Sequence, residues 1–167
     1  MTLDPTTASR HPTLLLSGTA AGSLAAVGAA LFSQHVQGMQ PCPWCILQRL
    51  IFLAIAAAAL ASLALRARPG RGLRATAAIT GLLGLCGMAA ALYQNLVAAH
   101  LPSCDMTLAD RIVSGLGVDA LVPELFEVRA SCADAAVRLL GVPYELWSCL
   151  LFAVVTTVAV LLWRARR

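Results

Sequence analysis

Four apolar runs dominate the chain, at 13–32, 46–65, 75–97 and 144–163. Each is long enough to cross a hydrocarbon core of about 30 Å, which takes roughly 20 helical residues. None contains Asp or Lys, and Arg49 and Glu145 fall in the first turn of their spans. Alanine, leucine and glycine fill the runs, a composition suited to close helix packing. Gly18 and Gly22 form a GxxxG pair, and Gly81, Gly84 and Gly87 open a second small-residue face. The pattern predicts an all-α integral membrane protein, a four-transmembrane-helix bundle forming a single membrane domain over 1–167. Between spans three and four, segment 98–143 is interrupted by Pro102, Pro123 and Pro143, which predicts short pieces rather than one element. Within it Leu108, Ile112, Val113 and Leu116 recur at helical spacing around Asp110 and Arg111. That pattern fits a short helix lying in the membrane interface, or a packed loop turn.

Composition removes the soluble alternative. Of the 167 residues, 59% are hydrophobic and only 12% charged, and mean hydropathy is +0.80. That is too little charge to coat a water-facing surface. The net charge of +4 comes entirely from arginine, with no lysine. Because the arginines flank apolar spans, membrane topology explains them better than nucleic acid does. Arg66, Arg68, Arg71 and Arg74 crowd the link between spans two and three. Arg10 precedes span one, and Arg164, Arg166 and Arg167 end the sequence, whereas most acidic residues fall between Asp105 and Glu145. The positive-inside rule then predicts cytoplasmic termini and a cytoplasmic 66–74 link, with 33–45 and 98–143 outside. Four spans require the termini to share a side, so the two signals agree. The length of span one and its GxxxG pair predict a retained helix rather than a cleaved signal peptide.

The candidate chemistry is in the cysteines. Cys42 and Cys45 form a CxxC, which supports either thiol–disulfide chemistry or metal binding. Pro43 suits the first turn of a helix, and the apolar run begins at Cys45-Ile46-Leu47, so Cys45 falls near a helix N-terminus. There the free N–H groups and the helix dipole favour the reactive thiolate. Arg49 follows one turn later on the same face, positioned to stabilise a thiolate, to donate to a docked carbonyl, or to snorkel to lipid phosphate. Cys104 and Cys132 lie in the outer loop, where an oxidising compartment permits a structural or an exchangeable disulfide. Cys86 and Cys149 fall mid-span and read as small buried hydrophobes. Two cysteine pairs suggest a relay: a soluble dithiol exchanges with the loop pair, the loop pair with the CxxC, and the CxxC passes two electrons to a lipid-soluble quinone. No haem-attachment CxxCH or dinucleotide-binding glycine fingerprint is present.

These residues carry a family resemblance. Gln34-His35-Val36, then Pro41-Cys42-Pro43-Trp44-Cys45 and Arg49, then Cys104-Asp105, Cys132-Ala133 and the entry into span four resemble the bacterial disulfide bond formation protein B (DsbB) family. The likeness covers nearly the whole chain, with four spans and both cysteine pairs in the family's order. It implies a protein-disulfide:quinone oxidoreductase of the bacterial inner membrane, with its cysteines periplasmic. Such an enzyme reoxidises a DsbA-type periplasmic thiol oxidase and reduces ubiquinone or menaquinone. By the same resemblance Cys104 takes the mixed disulfide with that partner, Cys132 exchanges with Cys42, Cys45 faces the quinone, and Arg49 contacts a quinone carbonyl. The chain departs from the family at Gln48, where a glutamate is familiar, and after Tyr93, where Gln94 and Asn95 replace an acidic residue and a histidine. Gln48 and Asn95 are therefore candidate quinone contacts of altered chemistry. A vitamin K epoxide reductase-like protein also has two cysteine pairs, but in that family the loop pair precedes the CxxC. A Cys₄ zinc site usually needs two close pairs, which Cys104 and Cys132 are not. A scaffold merely stapled by disulfides is the remaining alternative.

Overall fold

The computed structural model describes residues 12–65, 71–101 and 107–164. Cys104, Asp105, Pro102 and the arginines at Arg10, Arg66, Arg68, Arg166 and Arg167 lie outside these. Four long helices, α1 (Pro12–Val36), α2 (Pro43–Ala64), α3 (Arg71–Leu96) and α7 (Tyr144–Arg164), form the bundle. Each is long and apolar enough to cross a membrane. Compared with the sequence expectation, α1 runs on to Val36 and α3 starts at Arg71. Helices continue past the hydrocarbon boundary because backbone hydrogen bonding does not stop where apolarity does. The connecting loop carries a 3₁₀ turn (Ala98–His100), α4 (Leu108–Leu116), and the single turns α5 (Val118–Leu121) and α6 (Pro123–Phe126). It ends in a two-residue antiparallel ladder of β1 (Arg138–Leu139) and β2 (Val142–Pro143). The all-α expectation did not include that hairpin. Its two-residue turn, Leu140-Gly141, has positive φ at both positions, the conformation a tight hairpin demands.

Segment 108–116 is a helix rather than a loop turn. Thr107 caps it with Asp110 in a reciprocal capping box, and Gly117 ends it in the left-handed conformation. Ala109 and Val113 are buried against the start of α2, while Leu108, Ile112 and Leu116 face outward.

The two ends of the bundle are built differently. At one end Leu16, Ala20, Ala59, Leu73, Ala77 and Leu162 form an apolar cluster. Arg71, Arg74 and Arg164 belong to that end. The loop and the CxxC belong to the other. Along the middle α3 lies close against α7, because glycines remove the side chains that would separate them. A Cβ on Gly84 would collide with Thr156, and one on Gly87 with the Phe152 ring. Phe152 in turn stacks on Phe52 of α2 at 3.9 Å between ring centroids. Gly18 and Gly22 do not serve this purpose, since nothing approaches within 4 Å of a Cβ built on either.

Candidate functional site

Cys42 is the N-cap of α2, and Pro43 occupies the first turn, where a missing N–H costs nothing. The Cys42 sulfur accepts the Cys45 N–H at 3.4 Å, so a thiol performs the capping task usually given to a hydroxyl or carboxylate. One turn carries the second sulfur back beside the first, with the two Sγ atoms 2.8 Å apart. Cys42 is fully buried.

The loop brings the third sulfur to Cys42. The backbone N–H groups of Arg129 and Ala130 donate to the Pro41 carbonyl at 3.0 and 3.2 Å, immediately before Cys42. This clamp leaves Cys132 buried in one cluster with Cys42, Trp44 and Ala109. Its thiol interacts with that of Cys42 and with the Trp44 backbone. Hydrogen bonding from Cys42 holds the Cys132 thiol below the ordinary cysteine range, against the opposing cost of burial. Cys42 is displaced upward, first by its hydrogen bonds to Cys132 and Cys45 and then by burial. Of the two, Cys132 ionises more readily and Cys42 retains its proton. Cys104 lies outside the described residues.

Cys45 opens on the opposite side into a cavity of about 250 Å³ between α1, α2, α3, α7 and the tail of the loop. Ala26, Val27, Phe52 and Leu151 make much of its wall apolar, and Gln48, Arg49, Gln94, Tyr144 and Glu145 supply polar groups. Arg49 is only 6% exposed, so it does not snorkel to the surface. Its Nη1 donates to Gln34 Oε1 at 2.7 Å and to the Leu125 carbonyl at 3.0 Å. Its Nε has no hydrogen-bond partner. No carboxylate among the described residues lies within salt-bridge distance of it. A buried guanidinium with a spare donor in an apolar cavity suits a flat apolar molecule bearing a carbonyl acceptor.

Gln48 and Gln94 act together. Gln48 Nε2 donates to Gln94 Oε1 at 2.8 Å, which turns the Gln94 amide so that Nε2 donates to Cys45 Sγ at 3.3 Å. The sequence reading singled out Gln48 and Asn95 as candidate contacts. Gln48 lines the cavity, but Asn95 does not, and Gln94 takes that position. Asn95 Nδ2 instead donates to Glu145 Oε1 at 2.9 Å. Glu145 is itself buried, 5% exposed, and lines the cavity. Gln34, Gln94, Tyr144 and Glu145 were not read as site residues. The available signal was a set of polar residues inside or at the ends of apolar runs, which are costly there unless they have a use. Cys86 departs from its reading as a buried hydrophobe: it is exposed on the outside of α3, and Cys149 is half-buried. Neither lines the cavity.

A family model described as "Disulfide bond formation protein DsbB" matches residues 12–162. Disulfide bond formation protein B of Ralstonia nicotianae is 33% identical over 143 residues, covering 84% of this chain and 88% of that protein. Its namesake in Cupriavidus metallidurans is 34% identical over 147 residues, covering 87% and 89%. Disulfide bond formation protein B 1 of Pseudomonas savastanoi pv. phaseolicola is 37% identical over 140 residues, covering 82% and 80%.

Proposed function

The chain belongs to the DsbB family of membrane disulfide bond formation proteins, and from that premise we propose that it oxidises a periplasmic DsbA-type dithiol and passes the electrons to a membrane quinone. The observation that supports this most is the position of Cys42 between two sulfurs. Cys132 touches it from the loop, and Cys45 touches it from the cavity side.

The chemistry follows from those contacts. A thiolate of the soluble partner attacks the loop disulfide at Cys104, and Cys132 leaves. Cys132, the more readily ionised of the two, attacks Cys42 in the Cys42–Cys45 disulfide, and Cys45 leaves as a thiolate. The Gln94 amide N–H is aimed at that sulfur and stabilises its charge. Arg49, with its spare Nε donor, binds a carbonyl oxygen beside it, and Gln48 keeps Gln94 in orientation. Asn95 contributes at one remove, through Glu145. The partner's second thiol then releases Cys104, which returns to Cys132 and frees Cys42, and a bound ubiquinone or menaquinone would supply the two-electron sink for the resulting Cys42/Cys45 dithiol. In sum, a substrate dithiol and a quinone become a disulfide and a hydroquinone.

This reading also assigns the orientation. The cysteine end of the bundle faces the periplasm from the bacterial inner membrane, and the arginine-bearing end, with both termini, faces the cytoplasm. The decisive measurement is quinone reduction by a reduced DsbA-type protein, using purified chain in detergent or vesicles. Cys45→Ser is expected to lower turnover by about 10³-fold or more, as loss of a residue that acts as part of a unit does. Turnover that survives the substitution would overturn the relay.

A further inference from the structure

The relay described above moves electrons and leaves the protons without a carrier. Reducing a quinone to a hydroquinone takes two electrons and two protons, and the oxidised dithiol releases two of each. Both carbonyl oxygens become hydroxyl groups, and Arg49, which does not give up a proton, leaves proton delivery to another group. Glu145 is the only carboxyl group among the described residues lining the cavity. It lies in the first turn of α7, 5% exposed, inside a segment where a charged side chain is costly. Asn95, projecting from α3, donates to its Oε1 at 2.9 Å and fixes its rotamer. No basic side chain among the described residues is within salt-bridge distance of it, so it does not neutralise a cation. The other titratable groups lining the cavity are Cys45 and Arg49 of α2 and Tyr144 of α7. Cys45 is committed to electron transfer. Arg49 keeps its protons at any working pH. The Tyr144 hydroxyl lies 3.5 Å from Ser33 Oγ.

We infer that Glu145 is a proton-carrying catalytic residue, and that Asn95 is the positioning residue that aims it. The inference rests on the quinone reading of the cavity and deepens it. As Cys42 and Cys45 pass from dithiol to disulfide, the Glu145 carboxyl takes up one released proton and delivers it to a carbonyl oxygen of the acceptor. The second proton exchanges through solvent at the loop face. Glu145 returns to its starting state, so atoms and charge balance.

The test separates binding from proton delivery. Quinone binding is read as quenching of tryptophan fluorescence, since Trp147 lines the cavity. A short-chain quinone is titrated into Glu145→Gln, Glu145→Asp, Asn95→Ala, Tyr144→Phe and the unsubstituted chain. The same proteins, pre-reduced, are mixed with that quinone in a single turnover, in H₂O and in D₂O. Glu145→Gln is expected to bind within about 3-fold of the unsubstituted chain and to reduce quinone about 10²-fold more slowly, the scale of general acid catalysis, with a larger solvent isotope effect. Asn95→Ala is expected to keep binding and lose about 10-fold in rate, and Glu145→Asp to recover part of the rate lost in Glu145→Gln. An unchanged rate in Glu145→Gln overturns the inference, as does a rate loss matched by an equal loss of binding. A Tyr144→Phe effect that replaces the Glu145 effect also overturns it. Should Glu145→Gln fail to accumulate, an unchanged rate and isotope effect in Asn95→Ala count against the inference equally. Absence of quenching in the unsubstituted chain overturns the quinone reading, and this inference with it.

Discussion

The two ends of this bundle solve opposite problems with the same four helices. At the end near Leu16, Ala59, Leu73 and Leu162, apolar side chains let the helices close against one another. At the loop end the core accepts Gln34, Gln48, Arg49, Gln94 and Glu145, all buried, together with Cys42 and the two sulfurs that flank it. Buried polar groups cost stability even when hydrogen-bonded, and a buried guanidinium without a counter-ion costs more. One end therefore carries the stability that the other gives up. The difference shows where function is concentrated: the cavity at the loop end is lined by several buried polar groups, whereas the one between α1 and α7 toward the other end is lined mostly by apolar side chains.

Arg49→Ala gives the sharpest test of this contrast. The substitution is expected to raise the apparent KM for quinone by about 10²-fold, the cost of a lost charge-assisted donor in a dry site. Because Arg49 also holds the Leu125 carbonyl, exchange through the loop cysteines is expected to slow as well, by a smaller factor. An unchanged KM, measured by quinone titration of turnover, would remove Arg49 from the site. In the closed part of the bundle, Gly87→Val drives a side chain into Phe152. It is expected to destabilise the protein by about 1–3 kcal/mol, as overpacking does. Thermal unfolding in detergent checks this, and a midpoint equal to that of the unsubstituted chain would mean that the α3–α7 contact is loose. Cys42→Ala addresses the sulfur cluster in fully reduced protein. The Cys42 thiol stabilises the Cys132 thiolate, so its removal is expected to move the pH midpoint of Cys132 alkylation upward and to slow labelling at neutral pH. A downward move would reverse the assigned order of ionisation. The smallest effect is expected from Cys86→Ala combined with Cys149→Ala, which lie off the cavity. Turnover should stay within about 2-fold, the range of substitutions away from special features, and an inactive double variant would show that the site extends along α3 or α7.

Much of the site is legible in the sequence. Cys42, Cys45 and Arg49 announce themselves by spacing and by their position relative to apolar runs, and Cys132 by the family resemblance. Gln94 and Asn95 do not. They are neighbours, and neighbouring residues on a helix point about 100° apart. One reaches Cys45 and the other reaches Glu145. A sequence this uniformly apolar has no polar stripe from which to read how α3 is rotated. Cys86 was misread for the same reason: in a membrane, lipid accepts an apolar face as readily as protein does, so hydrophobicity does not distinguish inside from outside. The hairpin before α7 was missed because Leu140 is an unusual residue for a positive φ.

The sequence by itself determined that there are four long apolar helices, roughly where each lies, and that the CxxC falls at the start of the second one. Those follow from hydrocarbon thickness, backbone hydrogen bonding and the chemistry of a helix N-terminus, all local or one-dimensional. Tertiary structure alone decided that Cys132 meets Cys42, that Gln94 rather than Asn95 meets Cys45, and that Arg49 and Glu145 share one cavity. Each is a contact between segments far apart in the chain. It depends on helix rotation and loop clamping, which arise only when all four helices pack at once.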